Sequence, residues 1–356
     1  LNAFSADGTS EKDHRRFDYL NKQITSILTK IDLLANRKMT FDEQSQGLYD
    51  IVSPKLPEEY FTGLLDELEE ILPGKEPLKT RHDKFMANYR VPMDRTKDLI
   101  EAAIAESKTR VLKYVELHQE DSTTIEVVQN KPWGGYNWYQ GNNHSLIQIN
   151  VDKPRVISTI THLACHEGYP GHHVALSLQE RCFLKTDAWM EYSIYPLNSP
   201  HSVILEGTAE YGIHLLFPDN EKVEFEQEML FPLAGFDGSE AVLCDRVFNV
   251  SIKLRSARIE IARSYLDGQM DRDEAVSKLM IYLLQTKEEA EKSLKGLELF
   301  QSYLINYTVG LELIKEYVEG SEVLERSQAE KWSRFIRILK TPTTPSGLTR
   351  ELSVER

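Results

Sequence analysis

The chain has 356 residues, of which 41% are hydrophobic and 28% charged, the make-up of a folded globular protein with room for a large core. Its 42 basic against 56 acidic residues give a formal net charge of −14, which excludes a nucleic-acid backbone or an anionic membrane surface as a general partner. No apolar run reaches the roughly 20 residues that cross a bilayer, and the N-terminal stretch lacks a basic-then-apolar signal.

Apolar residues at three- and four-residue steps, among them Phe17, Leu20, Ile24, Ile27, Leu28, Ile31 and Leu34, predict an amphipathic helix over 11–38. The pattern continues through 42–52, 58–72 and 96–117, with Pro54, Pro57, Pro73, Pro77 and Pro92 between or at the ends of the segments. Residues 1–120 therefore read as an N-terminal helical lobe without chemistry. The periodicity then changes. Residues 123–129 and 145–151 alternate in strand fashion, and the aromatic, glycine-rich stretch 132–141 lies between them. One reading is a hairpin whose aromatics cover the core; the other is a strand that borders a cleft and takes an extended peptide by strand addition.

Next comes Thr161-His162-Leu163-Ala164-Cys165-His166-Glu167-Gly168-Tyr169-Pro170-Gly171-His172-His173, with four of the ten histidines. Two neutral imidazoles to hold a cation and a carboxylate to take a proton from water are the parts of a hydrolytic metal centre. The spacing is not H-E-x-x-H, in which ligands at i and i+4 share a helical face. From His166 the next histidines stand at i+6 and i+7. A regular helix brings i+7 back to the face of i, but Pro170-Gly171 breaks regular geometry. His172 is therefore the first choice as second ligand and His173 the alternative. Downstream, Glu206 and Glu210 share a face of a predicted helix, so that Glu206 can complete a His-His-Glu set while Glu210 orients an imidazole from behind. Gly207 and Ala209 between them point to close packing against another helix.

Residues 222–233, 240–266, 271–284, 288–317 with a break at Gly296, and 328–339 complete the predicted helices, and Asp271 opens its helix as a cap. Residues 341–347 are turn-rich, with the last residues as a tail. Cys165, Cys182 and Cys244 form no disulfide framework and match no thiolate metal spacing. Cys165 beside His166 is weighed as a nucleophilic dyad and set aside, because adjacent helical residues point in different directions and no orienting partner is evident. Reduced thiols fit a cytoplasmic protein; the chain opens on Leu1 rather than Met, which leaves room for a removed leader.

The blocks Gly134–Pro154, Ala164–His173 and Glu206–Tyr211 together resemble a zincin-like bacterial family of unknown function. Its signature is H-E-x-x-P-G-H-H followed by E-G-x-A-x-Y, and it is placed near the glutamate-zincin metallopeptidases. The resemblance covers most of residues 90–320. It implies zinc at His166, His172 and Glu206, Glu167 as general base, and a mainly α, zincin-like fold with a small hairpin or sheet beside the active-site helix, residues 121–356 forming the catalytic region packed closely on the N-terminal lobe. One departure is Thr208, where the family usually carries Trp; it leaves the metal set intact and bears on pocket shape.

The expected activity is zinc-dependent hydrolysis of short peptides. Candidates to share the oxyanion with the metal are Tyr303, Tyr307, Tyr211, His201 and Arg258, with Tyr307 preferred because the resemblance extends to a Tyr and a Gly there. Arg258 reads either as half of a buried ion pair or as a clamp for a substrate carboxylate. The competing expectations are an amidase acting on small amides at the same centre, and a helical binding protein whose metal is structural. Substrate, cleavage position and oligomeric state are not legible at this level.

Overall fold

The computed structural model describes residues 10–131, 133–320 and 326–355; Pro132, the first residue of the aromatic stretch, lies outside them. The chain is mainly helical, 69% helix against 6% strand. The first five helices are α1 (Glu11–Leu34), α2 (Phe41–Tyr49), α3 (Glu58–Ile71), α4 (Leu78–Asn88) and α5 (Thr96–Val111). A small sheet of β1 (Ser122–Val128), β2 (Gly135–Tyr139) and β3 (His144–Asn150) follows. Then come α6 (Ile160–Glu167), α7 (His172–Gln179), α8 (Pro200–Leu216), α9 (Glu221–Phe225), α10 (Phe231–Ala234), α11 (Ala241–Leu254) and α12 (Ala257–Leu266). The last are α13 (Arg272–Tyr282), α14 (Lys287–Phe300), α15 (Ile305–Glu319), α16 (Gln328–Lys340) and α17 (Pro345–Glu355). Capping boxes at Ser10, Thr40, Thr286 and Ser327 start four of them, and the Asp271 side chain caps α13 by accepting from the Glu274 amide, as its position predicts.

The differences from the sequence reading have local causes. β1 and β3 are not the two arms of a hairpin: they pair in parallel, and β2 pairs antiparallel with β3 on its other edge, in the order β1-β3-β2. Parallel neighbours need a long connection, and here that connection is the aromatic stretch itself. Gly141, Asn142 and Asn143, all at positive φ, turn β2 into β3. The aromatics do not cover the core; Trp133, Tyr136 and Trp138 pack on one another, and Trp138 is exposed.

The predicted 240–266 helix breaks at Arg255 and Ser256, where short turn bonds from the two amides to Ile252 and Lys253 interrupt the ladder. The break in 288–317 falls at Gln301, which has φ 47°, and not at Gly296, which stays helical. The C-terminal stretch forms a helix, because Leu348 and Leu352 are buried one turn apart and Arg334 and Arg326 hold Glu355. In α1 the N-terminal half is tied down by Arg16–Glu191 and Lys12–Asp187, but Ile24, Ile27, Leu28, Ile31 and Leu34 are 41% to 72% exposed. Periodicity identified that apolar face correctly, yet among the described residues nothing covers it.

Two cores hold the molecule, and both run across residue 120. One joins Leu64, Leu99 and Val111 to Cys165, Leu205, Ile314 and Phe335; the other joins Phe41, Tyr49 and Phe61 to Ala262, Leu279 and Leu294. α8 runs through the middle, and of its residues only His214 reaches solvent. Its two glycines are sites of close approach. A Cβ on Gly207 would stand 2.5 Å from the Gly310 carbonyl oxygen of α15, and one on Gly212 would stand 2.8 Å from Pro170 Cγ. The close packing expected around Gly207 is thus a backbone-to-backbone crossing with α15.

The sheet is locked to α7 by Asp121, just before β1. Its carboxylate pairs with His173 Nε2 at 2.8 Å and Lys108 Nζ at 2.9 Å and accepts from Tyr169 Oη at 2.7 Å. Burial alone would raise its pKa, but His173, Lys108 and Tyr169 together hold it at about 2.

Gly207→Ala should destabilise by about 1–3 kcal/mol through overpacking. Gly63→Ala, in α3 with nothing near the added methyl, should stabilise by about 0.5–1 kcal/mol; urea denaturation of the pair reads both. Because the Asp121 carboxylate is depressed, the stability it contributes is complete above its ordinary value near 3.8 and is lost as the pH falls through about 2. That contribution is on the order of 2 kcal/mol. Denaturation between pH 5 and 2 should show it, and Asp121→Asn should start lower and lose that part of the acid limb.

Candidate metal centre

His166 stands in the last turn of α6, and His172 is the first residue of α7. The reversal between them depends on glycine. A Cβ on Gly171 would lie 2.0 Å from the His166 carbonyl oxygen, and one on Gly168 would lie 2.4 Å from Ile104 Cδ1. The chain therefore folds back on itself within four residues, and i+6 is carried where an uninterrupted helix would carry i+7. His166, His172 and Glu206 each present a donor atom within 4.8 Å of the other two, and all three side chains are buried. Glu206 Oε2 lies 3.4 Å from His166 Nε2 and 3.6 Å from His172 Nε2, and it makes no hydrogen bond. A buried carboxylate oxygen left without a bond, facing two imidazole nitrogens, is a set of parts that fits a cation.

Electrostatics agrees with that reading. Burial alone would lower the His166 pKa, but Glu206, Glu167 and Glu210 raise it to about 9. Burial would raise Glu206, and the nearby His166 and His172 imidazoles pull it far below the usual carboxylate range. The site thus balances buried acids against protons on imidazole, and a cation can replace those protons.

Behind the group, Glu210 lies 2.9 Å from His162 Nε2 and 3.4 Å from His166 Nδ1. Glu210 thus stands near the imidazole it is expected to orient, though without a hydrogen bond to its Nδ1, and His162, one helical turn before His166, is an unforeseen second contact. Burial would raise Glu210, yet its interactions with His162, His166 and Arg255 hold it at about 2. His173 is not part of the group. Its Nδ1 contacts Ser145 Oγ and its Nε2 contacts Asp121, both at 2.8 Å, so both ring nitrogens are committed to the sheet.

Glu167 is buried beside His166, and its carboxylate forms no hydrogen bond or ion pair among the described residues. β2 runs against it: a Cβ on Gly135 would stand 3.1 Å from Glu167 Oε1, and Asn137 Nδ2 donates to the Glu167 carbonyl at 2.6 Å. β2 is an edge strand, so the strand expected beside the metal helix is this one and not β1 or β3.

The oxyanion candidates separate. Tyr303 Oη donates to Glu206 Oε1 at 3.0 Å. Tyr307 stacks its ring 6.3 Å from that of His166 and remains partly exposed; burial, then Glu206, raises its pKa. Tyr211 turns away to Glu319, and His201 sits among Tyr19, Tyr192 and Tyr195 with its Nε2 toward Gln179. Arg258 is outside the ligand group but lines a pocket with Tyr303 and Tyr307. Sequence reasoning missed Tyr195, whose buried hydroxyl has no hydrogen-bond partner. Burial, then Glu206 and other centre residues, keeps it protonated; it lies in an irregular segment that carries no periodic signal. Cys165 is buried against Ser107 Oγ, and burial pushes its thiol up to about 12, which leaves no basis for a nucleophilic dyad. All three cysteines are free, and no helix among the described residues is long and apolar enough to cross a membrane.

No family model and no curated protein matches the chain. A solved structure provisionally described as a lipoprotein from Colwellia psychrerythraea is similar in fold, with a TM-score of 0.58 at 16% sequence identity over 88% of this chain. The match covers 54% of that protein, so the chain spans about half the length of the structure it resembles.

Proposed function

We propose that the protein is a zinc-dependent hydrolase, a metallopeptidase that cleaves short peptides. The observation that carries the reading is the unbonded Glu206 Oε2 facing His166 and His172, with the buried Glu167 carboxylate, free of hydrogen bonds among the described residues, alongside. Two imidazoles and one carboxylate are a catalytic zinc set; structural sites take four protein ligands and are rich in cysteine. A zinc ion held there lowers the pKa of a water molecule from 15.7 to about 7. Glu167 accepts a proton from the attacking water and delivers it to the leaving nitrogen. Tyr307 donates to the developing oxyanion, with the Tyr195 hydroxyl as a second donor. Tyr303 fixes Glu206, and Glu210 fixes the His166 ring.

The peptide part of the reading is supported by β2. An edge strand presents free backbone groups, and a peptide that adds to it gains main-chain hydrogen bonds without a demand on sequence. Gly135 lets the strand lie close against Leu163 and Glu167, so that a peptide added to it would run near the Glu167 carboxylate. A small amide could use the same centre but would have no use for the strand.

Elemental analysis should find about one zinc per chain after zinc loading, lost in Glu206→Ala and His166→Ala; full zinc in both variants would remove the ligand assignment. Glu167→Gln should keep the metal and lose hydrolysis by about 10³-fold, and unchanged turnover across a peptide panel would remove its role. Tyr307→Phe should lower kcat by about 10- to 100-fold with little change in KM. Because the His166 pKa stands at about 9 before metal binds, zinc must expel a proton at neutral pH. Calorimetry in buffers of different ionisation enthalpy should read at least about one proton released at pH 7.5, and affinity should rise with pH and level off above about 9.

A further inference from the structure

The pocket next to the centre has a volume of about 260 Å³ and is lined by Arg258, Leu297, Phe300, Leu304, Tyr303 and Tyr307, among others. It opens where α12 starts, between α14 and the turn into α15. Gly296, on the pocket wall, has nothing within 4 Å of where a Cβ would stand. Tyr303 and Tyr307 line the pocket and also reach the ligand group: one bonds Glu206, the other stacks on His166. The two tyrosines are therefore the wall that the pocket shares with the ligand group.

Arg258 is the unexplained group in it. Its Nε is buried without a hydrogen bond, and it pairs with no carboxylate among the described residues. The charged neighbour it feels is Arg255, a like charge; burial and that repulsion push its pKa down to about 10. A guanidinium kept in such surroundings, with a second cation beside it, is a receptor for an anion. Besides Ser293 and the two tyrosines the remaining wall is apolar, with Leu297, Phe300 and Leu304, so the anion arrives attached to an apolar group.

We infer that this pocket receives the C-terminal residue of a peptide, with the terminal carboxylate on Arg258 and an apolar side chain against Leu297, Phe300 and Leu304. The inference rests on the peptidase reading and sharpens it to cleavage at or next to the C-terminus. The amide C–N bond nearest the centre breaks, the oxygen of water joins the carbonyl carbon, and the leaving amine takes one of its protons. Arg258 takes part in no bond change; it is a specificity residue.

The test uses the peptide Ala-Ala-Ala-Phe as free acid and as C-terminal amide. Binding of each to zinc-loaded Glu167→Gln protein is measured by calorimetry, and hydrolysis of each by zinc-loaded wild type. The acid should bind at least about 10-fold more tightly than the amide, Arg258→Met should abolish the difference, and Arg258→Lys should keep part of it. Gly296→Leu, which fills the pocket without touching the charge, should weaken both ligands. Equal binding of acid and amide to the parent, or a preference that survives Arg258→Met, overturns the inference. Hydrolysis of both forms at the same rate leaves a peptidase without the anchor. No hydrolysis of either, with the Arg258-dependent preference intact, removes the peptidase reading and keeps the anchor.

Discussion

Two carboxylates buried one turn apart on a central helix set the terms for this structure. Glu206 and Glu210 lie inside α8, where water cannot solvate them, and a buried charge persists only if something compensates it. The α6–α7 reversal delivers that compensation as three imidazoles: His162 and His166 at Glu210, and His166 and His172 at Glu206. The pairing is incomplete. Glu206 Oε2 and His166 Nδ1 are left without hydrogen bonds, and an incompletely satisfied buried polar network is retained where it serves function.

The geometry of that network is a matter of glycine. Gly171 lets the chain reverse against the His166 carbonyl, Gly212 lets Pro170 of the reversal rest on α8, and Gly207 with Gly310 lets α15 cross α8 at backbone distance. Each is a place where a methyl group would push apart two elements that carry site residues. The α8–α15 crossing is what brings Tyr303 to Glu206 and Tyr307 to His166. Close-packed interiors transmit such displacements with little relaxation, so Tyr307 is held by the packing of α15 on α8, while Tyr303 stands in the turn that leads into α15.

Charge is distributed unevenly around the centre. On the α8 side, acids are matched by imidazoles. On the α12 side, Arg255 and Arg258 stand together without an acid in hydrogen-bonding contact among the described residues, although Arg255 feels Glu210. The chain as a whole is strongly acidic, at −14, so a cationic spot in this cleft contrasts with its background and would steer an anionic group toward the tyrosine-lined space.

What the sequence by itself determined is local. Helices α2, α3, α13 and α16 follow from period, and α13 also from its Asp271 cap, since both signals act within a few residues. The candidate ligand group was legible because its chemistry is unusual per residue: His166-Glu167, a proline-glycine interruption, and two glutamates at i+4 around small residues. Tertiary structure decided everything that depends on what lies opposite. His172 faces Glu206, whereas His173 is claimed by Asp121 and Ser145, partners 52 and 28 residues away. β2 became the strand beside α6 because β1 filled the other edge of β3. The apolar face of α1 was correct as a pattern and still stands exposed, because periodicity shows which side of a helix could be buried, not whether another element arrives to bury it. Arg258 is the same case for charge: the sequence shows an arginine interrupting an apolar run, and only the fold shows that no acid came to meet it.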